Sequence, residues 1–323
     1  MDILVTGGAG FIGGAVVRQL VARGDRVVAI VRDPARATAL PDLGVELRTG
    51  DLTRTPAIVD SMRGCDAVIH LAGDYRIGIP ARERPAMLDA NVGSTVRMLD
   101  AAATSGIARM VYASTVNVFG DTGGRIVDER YRRDLGDGFL SYYDETKFLA
   151  QRAVEERVAT GLPAVIAIIG TTYGPGDHSA LGAELEAAYR GTARYVALGD
   201  TGITAVYVED VAAGLIAALD RGRVGESYIL GGENLRLRDA MAVAARVAGR
   251  RLPRLEIPDA MIRIGSKVPA LLARSVGLPD DLREVARASL GVTYWASSAK
   301  AATELSYRPR DLASGSRAAF GND

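Results

Sequence analysis

With 323 residues, 48% of them hydrophobic and 24% charged, the chain is long enough for one large or two modest domains whose core needs no staples. Its 39 basic and 39 acidic residues cancel, which argues against a polyanionic partner such as nucleic acid. One cysteine, Cys65, cannot close an internal disulfide, and two histidines, His70 and His178, are too few for a Cys/His metal site.

The apolar run Ile3-Leu4-Val5 reads as a first strand, followed by Thr6-Gly7-Gly8-Ala9-Gly10-Phe11-Ile12-Gly13 and an amphipathic helix over 12–22. Gly7 suits a tight turn, Gly10 lets backbone amides approach a pyrophosphate, and Gly13 lets the helix pack closely on the strand. The phosphates would then meet a helix N-terminus, where free N–H groups and the dipole favour negative charge. This first strand leaves no room for a leader peptide, and no apolar run reaches membrane-spanning length. The expectation is a cytoplasmic protein without a membrane partner.

Strands are predicted at 26–31, 45–49, 67–71, 109–113 and 164–169, and helices at 56–62, 86–103 and 143–160. His70 lies inside Val68-Ile69-His70-Leu71 and reads as a core or strand-end residue. Alternating βαβ units with short connections imply a parallel sheet with helices on both faces, an α/β doubly wound Rossmann domain over 1–170. Beyond the breaker Gly174-Pro175-Gly176-Asp177, helices at 183–189 and 211–219 mix with strands at 204–208 and 227–230. Residues 171–323 are expected to form a smaller α+β substrate lobe, with some segments returning to the first domain. The cationic apolar pattern at 261–276 is read as packing within that lobe, and the charged stretch 128–134 as solvated surface.

Tyr143 and Lys147 stand four residues apart near a helix start, hence on one face. A cation there would favour the phenolate of Tyr143 and bring it towards use as an acid or base. Only three lysines occur, Lys147, Lys267 and Lys300, so the pairing is informative. The fifth strand ends in Ser114-Thr115, at the sheet edge where ligands of such folds bind.

On these motifs the chain resembles the extended short-chain dehydrogenase/reductases, the group holding nucleotide-sugar epimerases and dihydroflavonol-reductase-like enzymes. The resemblance spans nearly the whole length and rests also on Gly50-Asp51-Leu52, His70-Leu71-Ala72-Gly73, Asn91-Val92 and Val208-Glu209-Asp210-Val211. It implies a cofactor site holding Gly7, Gly10, Phe11, Ile12 and Gly13, with Asp51 and Leu52 beside the adenine and Leu71, Ala72 and Gly73 between the cofactor's halves. Asn91 would be a structural or cofactor-side polar group. Lys147 would hold the nicotinamide ribose and lower the acidity constant of Tyr143; Thr115 would polarise the reacting oxygen; Tyr143 would exchange the proton. Thr171 and Thr172 fall in a stretch that approaches the nicotinamide in relatives. Dimerisation through the helices at 86–103 and 143–160 is a further implication.

Two departures narrow the resemblance. The second strand ends in Arg32, where NAD users often place an acid, so NADP is the expected cofactor, with Arg36 a second contact. The alternative leaves Asp33 to the ribose hydroxyls of NAD. Sugar dehydratases follow the threonine with Asp-Glu, whereas Thr115 is followed by Val116-Asn117, so the carboxylates of elimination are missing. The leading expectation is a ketone/secondary-alcohol oxidoreductase with a small-molecule substrate. Behind it stand an NAD-dependent nucleotide-sugar epimerase and a cofactor-sensing protein without catalysis. Arginines such as Arg76, Arg125 and Arg194 are candidates to meet a substrate phosphate, but since arginine supplies nearly every cation, solvated surface is the stronger reading.

Overall fold

Strand alternation decides which face each residue takes: in β1 (Asp2–Thr6), Ile3 and Val5 enter one apolar cluster and Leu4 the other. The computed structural model describes residues 1–37, 39–267 and 279–321. The strands are β1, β2 (Arg26–Val31), β3 (Glu46–Thr49), β4 (Ala67–His70), β5 (Arg109–Thr115), β6 (Ala164–Ile169), β7 (Thr171–Tyr173), β8 (Gly202–Tyr207), β9 (Ser227–Leu230) and β10 (Glu233–Arg236). The principal helices are α1 (Phe11–Arg23), α2 (Ala39–Asp42), α3 (Thr55–Met62), α4 (Arg84–Leu88), α5 (Ser94–Thr104), α6 (Tyr142–Ala159), α7 (Ala180–Arg190), α8 (Val208–Arg221) and α9 (Leu237–Val247). They are followed by α10 (Asp259–Gly265), α11 (Leu282–Ser289), α12 (Ala299–Glu304) and α13 (Leu312–Phe320).

Seven strands form one parallel sheet in the order β3-β2-β1-β4-β5-β6-β9. This is the doubly wound α/β architecture expected from the alternating elements. Thr6 pairs in register with Ile30 on one side and His70 on the other, so the strand order reverses across β1 and β4. The carboxyl ends of those two strands open the crevice where ligands of such sheets bind. Helices α1 and α8 cover one face with Val16, Leu20, Leu215 and Leu219; α3, α5 and α6 cover the other with Ile58, Met98, Leu99 and Val154. Each such buried aliphatic side chain contributes about 1.5–3 kcal/mol.

The strand at 227–230 is the seventh of the main sheet, parallel to β6, and α8 lies against α1, where Gln19 Nε2 donates to Glu209 O at 2.9 Å. The smaller sheet, β10-β8-β7, is mixed and carries α7, α9 and α13. The helix expected over 86–103 is broken: α4 and α5 are joined by a wide π turn over Asp89–Gly93. That turn tucks Asn91 inside, where its amide reaches the backbone of Asp74. The packing expected for 261–276 does not hold where it is described, since Met261 and Ile264 are 62% and 70% exposed; residues beyond 267 lie outside the described residues. In the charged stretch, Glu129 is no solvated bystander: its carboxylate accepts from Ile229 N, within β9, at 2.9 Å. No helix among the described residues is long and apolar enough to cross a membrane.

Candidate active site

The glycine loop closes on itself through Gly10 N donating to Gly7 O at 2.9 Å. Gly7 has φ +70°, which only glycine adopts without strain, and a Cβ there would stand 3.0 Å from Ala72 N. A Cβ on Gly13 would sit 2.0 Å from Gly7 O, so α1 approaches the turn as closely as backbone allows. Gly10 caps α1 without any side-chain cap, leaving the first amides of the helix unclaimed by protein side chains. A loop held this tightly, ending in uncapped helix amides, fits the pyrophosphate of a dinucleotide. Phe11 and Ile12 are half-buried at the start of α1, and Gly176 of the following lobe comes to the Phe11 ring.

Thr6 at the end of β1 binds the loop to β4. Its Oγ1 lies 2.7 Å from His70 Nδ1 and accepts from Leu71 N and Ala72 N at 3.2 and 3.1 Å. His70 Nε2 is 3.2 Å from Thr95 Oγ1, which donates to Asn91 O at 2.7 Å. Asn91 Oδ1 accepts from Asp74 N at 2.7 Å, and its Nδ2 donates to Asp74 O and to Thr146 Oγ1 at 3.0 and 2.9 Å. One chain of hydrogen bonds therefore runs from the glycine loop to α6. Burial, helped by the Lys147 charge, pushes the His70 imidazole down to about 3. Folding then demands a neutral ring that the unfolded chain would protonate below about 6.5. Stability contributed by that ring is complete above pH 6.5 and lost as pH falls towards 3, roughly 3 kcal/mol between pH 7 and pH 4. Urea midpoints measured across that range should fall with acidification and flatten in His70→Gln; an unchanged slope in the variant would assign the loss elsewhere.

Ser141 Oγ caps α6 by accepting from Asp144 N at 3.1 Å, which sets the helix phase and turns Tyr143 and Lys147 to the sheet. Lys147 Nζ donates to Tyr112 Oη at 2.9 Å and to Ala113 O at 2.8 Å on β5. An ammonium has three N–H directions, so one remains unassigned among the described residues. Burial pushes this ammonium down to about 7. Its hydrogen-bonded phenol is that of Tyr112, whose ring centroid lies 4.7 Å from Nζ. Burial raises the Tyr143 phenol well above its ordinary value, Tyr75 and Asp144 add to the rise, and only the Thr115 hydroxyl opposes them.

Thr115 Oγ1 donates to Asn117 Oδ1 at 3.0 Å, and Asn117 Nδ2 donates to Asp144 Oδ1 at 3.1 Å. Asp144 is fully buried, accepts from Ser141 Oγ at 2.7 Å, and is pushed up to about 6 by desolvation. Ser114 faces away: its hydroxyl donates to Gln151 Oε1 at 2.6 Å. Thr115, Tyr143 and Lys147 thus gather beside the carboxyl end of β5.

The remaining expected contacts line the same sheet edge. Arg32 is exposed just past β2 with no hydrogen bond or ion pair among the described residues, whereas Asp33 Oδ1 accepts from Ala35 N at 3.0 Å. The side chain of Arg36 lies outside the described residues. Asp51 is exposed after β3 and accepts from Thr53 N at 3.0 Å; Leu52 packs on the second apolar cluster. Leu71, Ala72 and Gly73 leave β4 directly opposite the glycine turn, and a Cβ on Gly73 would stand 3.0 Å from Asn91 Oδ1. Thr172 Oγ1 turns back to Gly170 O at 3.1 Å. Arg76 is claimed by Asp74 and Glu83, and Arg125 by Thr122 O and the Tyr131 ring.

Sequence reading passed over Tyr112, Asp144 and Glu284, and reached Tyr75 only as part of the loop-like stretch 74–84, a candidate pocket segment. For Tyr112 a signal existed, since a phenol inside an apolar strand needs a polar partner. Asp144 and Glu284 become informative only through neighbours distant in sequence.

A glycine-loop crevice at the strand-order reversal, with Tyr143, Lys147 and Thr115 beside it, defines an enzyme of the dinucleotide-dependent Rossmann type. The NAD dependent epimerase/dehydratase family matches residues 3–231, and the chain belongs to that family. A Synechocystis sp. protein named a dihydroflavonol 4-reductase is 32% identical over 86% of this chain and 82% of its own length. The crystal structure of gox2253 superposes with a TM-score of 0.83 at 31% identity, covering 99% of this chain and 97% of that one. MoeE5, solved with UDP-glucose and NAD, superposes with a TM-score of 0.77 at 25% identity, covering 99% and 98%.

Proposed function

We propose that the protein is an NADP-preferring oxidoreductase that interconverts a ketone and its secondary alcohol on a small or medium organic substrate. The observation that carries this reading is the gathering of Tyr143, Thr115 and Lys147 at the end of β5, with one N–H of Lys147 left unassigned. When bound, the dinucleotide supplies a hydride to the carbonyl carbon or takes it back from the alcohol. Tyr143 gives the matching proton to the oxygen, and Thr115 orients that oxygen. Lys147 would hold the nicotinamide ribose, since one of its N–H groups has no partner among the described residues. Gly7, Gly10, Phe11, Ile12, Gly13, Asp51, Leu52, Leu71, Ala72, Gly73 and Asn91 make up the cofactor's surroundings. Residues 1–170 hold the dinucleotide and 171–323 the substrate, α8 and β9 returning to the first part. A homodimer through α5 and α6 belongs to the same reading. Net NADPH consumption with a carbonyl substrate is the direct test.

NADP preference rests on Arg32, an exposed guanidinium with no ion pair among the described residues, while Asp33 accepts from Ala35 N in its own turn. A guanidinium–phosphate contact is worth about 1.5–3 kcal/mol, or roughly 10- to 100-fold in affinity. Arg32→Ala should weaken NADPH binding by about that factor and change NADH binding less than about threefold. Equal dissociation constants for both cofactors, untouched by the substitution, would refute the preference.

The likeness to a UDP-glucose- and NAD-bound structure favours a second reading, a nucleotide-sugar epimerase running the same hydride out and back. Copurifying NAD and epimer interconversion without net cofactor turnover would select it.

A further inference from the structure

Tyr75 stands edge-on to the proposed proton donor, its ring centroid 4.8 Å from that of Tyr143 at 81°. It is 58% exposed, so one side of its ring is open while its edge is held against Tyr143. The other apolar residues of this loop are spent: Ile77 and Ile79 pack with Met87 against Tyr143, so only Tyr75 keeps an open ring.

The loop that presents Tyr75 is braced at both ends. Asn91 holds the backbone of Asp74 at one end. At the other, Gly78 O accepts from Asp281 N at 2.9 Å, and Glu284 of α11 accepts from Arg84 Nη2 and Tyr142 N at 3.3 and 3.0 Å. The side chain of Glu284 is buried, so α11 ties the loop to the first turn of α6. A preorganised aromatic wall loses little entropy when a ligand packs on it.

The loop that carries Tyr75 offers an anionic ligand no unpaired guanidinium of its own. The loop's arginines are already paired: Arg76 with Asp74 and Glu83, Arg82 with Glu83, Arg84 with Glu284. We propose that Tyr75 is a specificity-determining residue, and that the substrate is an uncharged, ring-bearing ketone whose ring packs on Tyr75 while its carbonyl faces Tyr143. This rests on the reductase reading above.

Full-length protein with saturating NADPH should be assayed on three methyl ketones: 4-phenyl-2-butanone, straight-chain 2-octanone, and the anion 4-oxopentanoate. Wild type should prefer the phenyl ketone over the anion by about 50-fold or more. Tyr75→Ala should lower kcat/KM for the phenyl ketone about 10-fold, mainly through KM, and for 2-octanone less than about threefold; Tyr75→Phe should stay within about threefold of wild type. An unchanged phenyl-to-octyl ratio in Tyr75→Ala, or a wild-type preference for the anion, overturns the proposal. If no ketone is turned over with either cofactor, the reductase reading fails on its own. Saturation-transfer NMR with 4-phenyl-2-butanone then decides the surface: loss of signal in Tyr75→Ala supports it, and equal signal overturns it.

Discussion

Tyr143→Phe is expected to lower kcat for ketone reduction by about 10²- to 10⁴-fold, the range supplied by a positioned proton donor. The substitution removes one oxygen and keeps the ring, which packs with Ile79 and Met87 in a small apolar cluster. The fold and NADPH binding should therefore survive, with the dissociation constant within about threefold of wild type. Two hydroxyls of β5 are committed elsewhere: Thr115 donates its proton to Asn117, and Tyr112 is engaged by Lys147. Following NADPH oxidation under saturating cofactor measures the loss. Wild-type turnover in Tyr143→Phe would remove Tyr143 as proton donor and leave the cofactor site standing.

Gly13→Ala should be the most damaging single methyl in the cofactor site. Its Cβ would stand 2.0 Å from Gly7 O and 2.7 Å from Gly7 C, and backbone cannot swing aside as a side chain does. Either α1 or the turn must shift, and strain of about 1–3 kcal/mol follows, enough to weaken NADPH binding by roughly 10- to 100-fold. The neighbouring Gly14→Ala is the control, because its methyl would meet only Arg18 Nη1 at 3.5 Å and Gly8 O at 3.9 Å. That variant should bind NADPH like wild type and gain about 0.5–1 kcal/mol of stability from helix propensity. Calorimetric titration and thermal melts on the pair separate the two outcomes; equal affinity in both variants would show that close helix approach is irrelevant to the cofactor.

The elements that read clearly in the sequence are those whose signal is local. A buried parallel strand announces itself as a short β-branched run, so β1, β2, β4, β5 and β6 fall where apolar runs and Gly or Asp-Pro breakers place them. The glycine turn and the Tyr143–Lys147 spacing are equally local, the second because Ser141 caps α6 and fixes its phase. The π turn at Asp89–Gly93 escapes periodicity: five residues of wider helix keep the apolar pattern nearly intact, and the reason for it, Asn91 reaching Asp74, lies 17 residues upstream.

By itself the sequence determined the order of strands β1 to β6, the doubly wound class, the crevice at the glycine turn and the candidate chemistry of Tyr143, Lys147 and Thr115. Each of these depends on spacings within a few residues, which backbone geometry converts directly into position. Only the tertiary structure decided that β9 completes the main sheet, that Lys147 spends two of its N–H groups on β5, that Tyr143 is raised by burial, and that Tyr75 and Glu284 flank the first turn of α6. Desolvation and side-chain pairing come from whatever surrounds a group in space, and for these residues the surroundings are assembled from segments up to 206 positions apart.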